Sequence, residues 1–184
     1  AVLLSFGVFA GEAKNVILLI GDGMGMGQIG TTLLYSRTML GRDLRMVELM
    51  KPGRTAIVLN DTADAMVTES AAAAGQIATG KRMLAGAISM AEDGRTPLRT
   101  LLEIAQGQGK AVGLVTTSGI TDATPAAFAA HLAKRSDEAS AAEQELQHRV
   151  DVLMGGRRQF FLPESAGGKR KDGRDLIAEA RAAG

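Results

Sequence analysis

Thr68-Glu69-Ser70 runs directly into Ala71-Ala72-Ala73-Ala74-Gly75-Gln76-Ile77-Ala78-Thr79-Gly80, a polar elbow before a stretch of small residues. The pattern predicts a helix with Ser70 at or near its N-cap, where a serine oxygen accepts free backbone N–H groups. Those groups and the helix dipole also favour an anion there. A serine so placed can be a cap, a nucleophile or both. Asp22, between Gly21 and Gly23, presents a carboxylate with little bulk around it. That suits a hard or borderline cation, although Gly-Asp-Gly is also ordinary turn chemistry. Asp122-Ala123-Thr124-Pro125 offers a carboxylate and a hydroxyl two residues apart. Thr124 is expected as an N-cap with Pro125 at the first helical position, which leaves lone pairs for a metal. His131 and Arg135 are four residues apart and would share a face if that helix reached them. His131 reads first as a core histidine. Arg135 reads as a surface charge or, aimed at strand ends, as a bidentate phosphate ligand.

The elements that must position these groups alternate. Lys14–Ile20 is a continuous branched-apolar run, expected as a strand buried on both faces. A helix is expected from about Gln28 to Leu40, a second strand over Gly53–Asn60, and a strand or hairpin over Gly86–Met90. Thr96-Pro97 is expected to open a helix ending at Gly107, before a strand over Ala111–Val115. A polar helix capped by Ser136, a strand Val150–Met154 closed by Gly155-Gly156, a solvated basic loop over 167–174 and a last helix Asp175–Ala183 complete the chain. The alternation argues an α/β fold with a mostly parallel sheet. In such sheets ligands sit at the carboxyl ends of strands, the shared address of Asp22, Ser70, Asp122 and Thr124.

Composition excludes several classes. Apolar residues make up 46% of 184, enough for a real core. Lys+Arg 21 against Asp+Glu 20 gives no basic excess for nucleic-acid binding. Cysteine is absent, which removes disulfides and thiolate metal sites. His131 and His148 are the only histidines, so nitrogen ligation of zinc is limited. Residues 1–13 read either as the tail of an export signal, with Gly11-Glu12-Ala13 at the cleavage end, or as a buried first strand. The run is too short to span a membrane. Gly25-Met26-Gly27-Gln28-Ile29-Gly30 matches the dinucleotide fingerprint, an alternative in which Gly25, Gly27 and Gly30 bind a pyrophosphate. The match begins several residues past the strand end, and Asp22 would put a negative charge beside the pyrophosphate.

Four segments in order resemble the alkaline phosphatase family: Asn15–Gly25, Val67–Ala74, Thr121–Ala127 followed by His131 and Arg135, and Asp151–Gly156. The resemblance implies a three-layer α/β sandwich, with residues 14–184 as the N-terminal part of one catalytic domain. It implies a periplasmic or secreted phosphomonoesterase with two zinc ions and one magnesium, releasing inorganic phosphate, and a possible homodimer. Ser70 would be the nucleophile that becomes phosphoserine, and Arg135 would clamp the phosphate. Asp22 would bridge a zinc and the magnesium, and Thr124, with Asp122 beside it, would belong to the magnesium site. Sulfatase-like and phosphodiesterase enzymes share the metal core, but the Ser70 and Asp122/Thr124 segments favour the phosphatase. Glu69 stands where the family usually has Asp, so its longer side chain is expected to shift Arg135. The remaining family ligands come from later sequence, so this stretch alone is expected to be inactive.

Overall fold

A computed structural model of the chain describes residues 14–51 and 55–184. They fall into two units, one up to Thr55 and one from Ala56 onward, each taken here by itself. The export-signal reading of residues 1–13 lies outside the described residues, as do Gly53 and Arg54 of the expected second strand.

In the first unit, α1 (Met26–Met39) and α2 (Arg45–Met50) follow an extended run. Gly23 makes the turn after Asp22 at φ +65, a left-handed conformation glycine adopts without steric cost. Arg37 at 2.6 Å and Lys51 at 3.0 Å both pair with Asp43, tying α1 to the end of α2. The dinucleotide reading fails on local structure. Gly25 is the N-cap of α1 with Gly27 and Gly30 inside it, but the run before it forms no strand ladder among the described residues, so the strand–turn–helix context the fingerprint requires is missing. The expected first strand is also revised. Val16 (83%), Ile17 (87%) and Leu19 (89%) are exposed, and no described residue forms a ladder with them. An apolar run becomes a strand only when a neighbour takes up its backbone N–H and C=O groups.

The second unit holds α3 (Ser70–Thr79), α4 (Leu101–Gly107), β1 (Gly113–Gly119), α5 (Ala123–Ala129), α6 (Glu138–Gln147), β2 (Val152–Gly156) and α7 (Leu176–Ala183). Residues 55–60 have no ladder partner among the described residues, and Ile57, Val58 and Leu59 are exposed. β1 and β2 pair in parallel with Leu114 beside Leu153 and Val115 beside Met154. Leu114 and Leu153 turn into the helix-covered core, while Val115 and Met154 are exposed on the other face. β1 runs through Thr116–Gly119, which the sequence suggested as loop, and β2 continues through the glycines expected to stop it. A Cβ on Gly155 would lie 2.7 Å from Thr116 Cγ2, and one on Gly156 would lie 3.2 Å from Ser118 O. Glycine there lets the backbones close up.

α3 and α5 pack through Ala71, Ala74, Ala123, Ala126 and Ala127, all buried. Small side chains let two helix backbones approach closely. A Cβ on Gly75 would fall 2.4 Å from Met83 Sδ, so that contact also needs glycine. Four helix starts differ from expectation. Glu69, not Ser70, is the N-cap of α3, and Thr100, not Pro97, begins α4, through a capping box with Glu103. Asp122, not Thr124, caps α5, and Asp137, not Ser136, caps α6. At three of the four starts the side chain that reaches the orphan N–H groups is a carboxylate, whose charge also suits the helix dipole. Pro97 instead bridges Met90. α5 ends at Ala129, and Leu132 then bridges Ile88, so His131 and Arg135 share no helix face. The basic loop is not simply solvated. Arg170 is only 3% exposed, pairing with Asp172 and donating to Ala139 O at 2.8 Å.

Candidate active site

Ser70 is the first residue of α3, half-buried, directly after the capping carboxylate of Glu69. Glu69 Oε2 accepts from Ala71 N at 2.8 Å and Arg135 Nη1 at 2.7 Å; Oε1 accepts from Ala72 N at 2.9 Å and Gly86 N at 2.9 Å. The first N–H groups of α3 therefore already hold an anion, and it is Glu69. A phosphate at Ser70 would have to draw its positive partner elsewhere. Burial pushes the Glu69 carboxyl up, but the N–H groups of Ala72, Ala71 and Gly86, with Arg135, hold it below its ordinary value.

Asp122 mirrors Glu69. Its Oδ1 accepts from Ala123 N at 2.8 Å and Arg135 Nη2 at 3.0 Å; its Oδ2 accepts from Ser118 Oγ at 3.1 Å and forms an ion pair with Arg157 Nη2 at 3.3 Å. A carboxylate offers about four lone-pair sites, so Glu69 is fully engaged and Asp122 is held by three hydrogen bonds and an ion pair. Burial raises the Asp122 carboxyl, yet Ala123 N–H, Arg157, Ser118 and Arg135 hold it below its ordinary value. Arg135 forks between the two carboxylates, and its backbone N–H donates to Gly86 O at 2.8 Å. Burial works against its charge, but Glu69 and Asp122 raise its pKa further. Glu69 both caps α3 and pairs with Arg135.

Arg157, Ser118 and Glu138 were missed in the sequence. Arg157 follows β2 directly and adopts φ +68, uncommon for a residue with a side chain. It pairs with Asp122 and with Glu138, which also accepts from Thr121 Oγ1 at 2.7 Å. A Cβ on Gly119 would fall 2.2 Å from Arg157 Cδ, so glycine there makes room for the arginine stem. The strand-end address was the available signal, because Arg157 ends β2 as Asp122 follows β1.

Thr124 is half-buried in the first turn of α5, within the segment that Asp122 caps. Asp22 is exposed, in the first unit, at the turn before α1. The second unit thus brings Glu69, Asp122 and Arg135 together, with Ser70 adjoining Glu69 and Thr124 near Asp122. Oxygen donors of this kind suit magnesium, and Asp122 is already held by three hydrogen bonds and the Arg157 ion pair. No imidazole belongs to this group. His131 and His148 gather with Glu103 beyond the other end of α5, so neither imidazole stands beside Ser70.

A family model described as alkaline phosphatase matches residues 13–184. The streptomycin-6-phosphate phosphatase of Streptomyces griseus is 40% identical over 94% of this chain and 42% of its own length. Alkaline phosphatase 3 of Bacillus subtilis is 37% identical over 94% of this chain and 37% of its own length. The crystal structure of Thermus thermophilus alkaline phosphatase superposes with a TM-score of 0.74 at 36% identity, covering 84% of this chain and 32% of that one. The chain thus spans about two fifths or less of these relatives' length. Within that span, sequence and backbone agree on the parallel α/β fold that the strand-end clusters suggested, and the chain belongs to the alkaline phosphatase family.

Proposed function

We propose that the chain carries the phosphate-accepting serine of a metal-dependent phosphate monoester hydrolase, with Ser70 as nucleophile and Arg135 as phosphate clamp. The observation that supports it most is the guanidinium of Arg135, braced by Glu69 and Asp122 in the group that Ser70 adjoins. Two of its five N–H groups make those contacts, and a planar fork matches phosphate oxygens bidentately.

In this reading Ser70 Oγ bonds to phosphorus and the ester P–O bond breaks. The alcohol leaves with a proton, and water then cleaves the phosphoserine to release inorganic phosphate. We assign the Ser70 proton to neither Glu69 nor Asp122, because both carboxylates are held by backbone N–H groups and arginines that favour their ionised forms. That is where metal dependence enters, since a cation lowers the pKa of an oxygen nucleophile at neutral pH. Two zinc ions and one magnesium remain our proposed set. Thr124 supplies an oxygen donor of the right hardness, and Asp22 is proposed independently as a carboxylate ligand. We assign Asp122 to bracing Arg135 and to the magnesium site only indirectly, not to direct ligation. The proposal extends to an exported, periplasmic or secreted enzyme that can pair as a homodimer. Among the described residues no helix is long and apolar enough to cross a membrane.

Chelation tests the metal requirement. EDTA should abolish p-nitrophenyl phosphate hydrolysis by the active protein, and zinc with magnesium should restore it. Turnover that survives exhaustive chelation would overturn the metal-dependent reading.

A further inference from the structure

Beyond the C-terminal end of α5, three elements bring Glu103, His131 and His148 together, with one donor atom from each lying within 4.8 Å of the others. The backbones behind them are pinned. Glu103 closes the capping box of α4: its Oε2 accepts from Thr100 N at 2.7 Å, while Thr100 Oγ1 donates to Phe128 O at 2.7 Å. His131 is clamped to α6 from both sides, its N–H donating to Gln144 Oε1 at 2.7 Å and its carbonyl accepting from Gln144 Nε2 at 3.2 Å. Gln106 Nε2 donates to His148 O at 2.6 Å, fixing the end of α6 against α4. Rigid backing of this kind is what a preorganised ligand set requires.

The imidazole chemistry points the same way. His131 Nδ1 lies 3.0 Å from Ser89 O, a carbonyl that can only accept, so Nδ1 carries the proton. In the neutral ring Nε2 then presents a lone pair to Glu103 Oε1 at 3.2 Å. Two acceptors facing each other need a cation between them, either a proton or a metal. Ligands at 2.0–2.1 Å in tetrahedral array stand about 3.4 Å apart, close to this spacing. A ring N–H on a backbone carbonyl is also the usual outer support of a metal-bound histidine. Two further buried groups lack a hydrogen-bond partner among the described residues: His148 Nδ1, and both carboxylate oxygens of Glu145 one turn earlier on α6.

We propose that Glu103, His131 and His148 form a zinc-type divalent metal site, distinct from the Ser70 group and serving to tie α4, the end of α5 and the end of α6 together. Two imidazoles and one carboxylate are a recognised zinc donor set with a fourth position left for water. The inference does not depend on the phosphatase reading, because neither Ser70 nor Arg135 contributes.

Titration of the metal-stripped protein with Zn2+ alone, followed by calorimetry and by 15N shifts of the imidazoles, tests it. The expected result is an equivalent of zinc that moves both histidine rings, leaves His131 protonated only at Nδ1 and raises the melting temperature until EDTA is added. His148→Ala should weaken that binding at least about thirtyfold, and Glu103→Gln by a similar factor. Ser70→Ala and Arg135→Ala should leave it unchanged. If His131 stays doubly protonated in excess zinc, or if His148→Ala binds zinc at this site as tightly as the parent protein, the contact is an ordinary histidine–glutamate ion pair and the proposal is wrong. Should His148→Ala melt cooperatively at the parent's metal-free temperature, its lost zinc response is a loss of ligation and not of folding.

Discussion

Two polar clusters flank α5, and they are satisfied in opposite ways. At the N-terminal end Glu69 accepts four hydrogen bonds, Asp122 accepts three and pairs with Arg157, and two arginines balance their charge. At the C-terminal end Glu103 meets an imidazole nitrogen of His131, and both Glu145 carboxylate oxygens and His148 Nδ1 are buried without a hydrogen-bond partner among the described residues. The first arrangement is electrically closed: its carboxylates serve as rigid supports, and the arginine between them is the group left to engage a ligand. The second is open, with buried polar atoms unmatched among the described residues. A carboxylate's residue type therefore says little about its role until its lone pairs are counted.

The largest effect should come from breaking the closed cluster at its centre. Arg135→Ala removes the forked contact with phosphate and should lower kcat/KM by about a hundredfold. Arg135→Lys should recover only part of that, because an ammonium cannot span Glu69 and Asp122. Equal activity of Lys and Arg at this position would show that charge alone matters.

The open cluster should reveal itself through pH. Glu145 is fully buried with no hydrogen-bond partner among the described residues, and burial raises its carboxyl to about 9. A carboxyl raised in the folded state contributes its full stability below the ordinary value of 4.5 and loses it as pH rises toward about 9. At pH 7 that loss is of order 3 kcal/mol. Glu145→Leu should flatten denaturant-derived stability between those pH values. A variant with the parent's slope would place the titrating group elsewhere.

Arg157 should give the smallest effect. Its ion pairs are about one-third exposed and so are worth little individually, and Arg157→Gly also relieves the left-handed backbone. The net stability change should stay within about 1 kcal/mol and shrink with added salt. A several-fold larger, salt-insensitive loss would make Arg157 a structural keystone.

Much of this was readable in the residues. Ser70 at the head of a small-residue helix, Asp122 ahead of Pro125, and Arg135 downstream all fall in one unit, and the parallel pairing of β1 with β2 follows from the alternation of elements. Three kinds of error have physical causes. The runs at 16–20 and 57–59 looked like buried strands because apolarity reports a preference for burial, whereas pairing depends on a neighbour that local sequence does not name. The caps shifted because Glu69 and Asp122 stand one and two residues ahead of the serine and threonine that matched the expected pattern, and Asp137 stands one residue after Ser136. Arg157 and Glu145 went unnoticed because a single charged residue acquires meaning only when the fold fills the space around it. Glu69, read as a weakness, proved to be both the helix cap and the brace of Arg135.

The central claim is that Ser70 accepts the phosphoryl group, and acid trapping tests it directly. The active protein incubated with labelled phosphate and quenched in acid should carry the label on the peptide containing Ser70, and Ser70→Ala should carry none. Label on another residue, or label that persists after Ser70→Ala, would contradict the account.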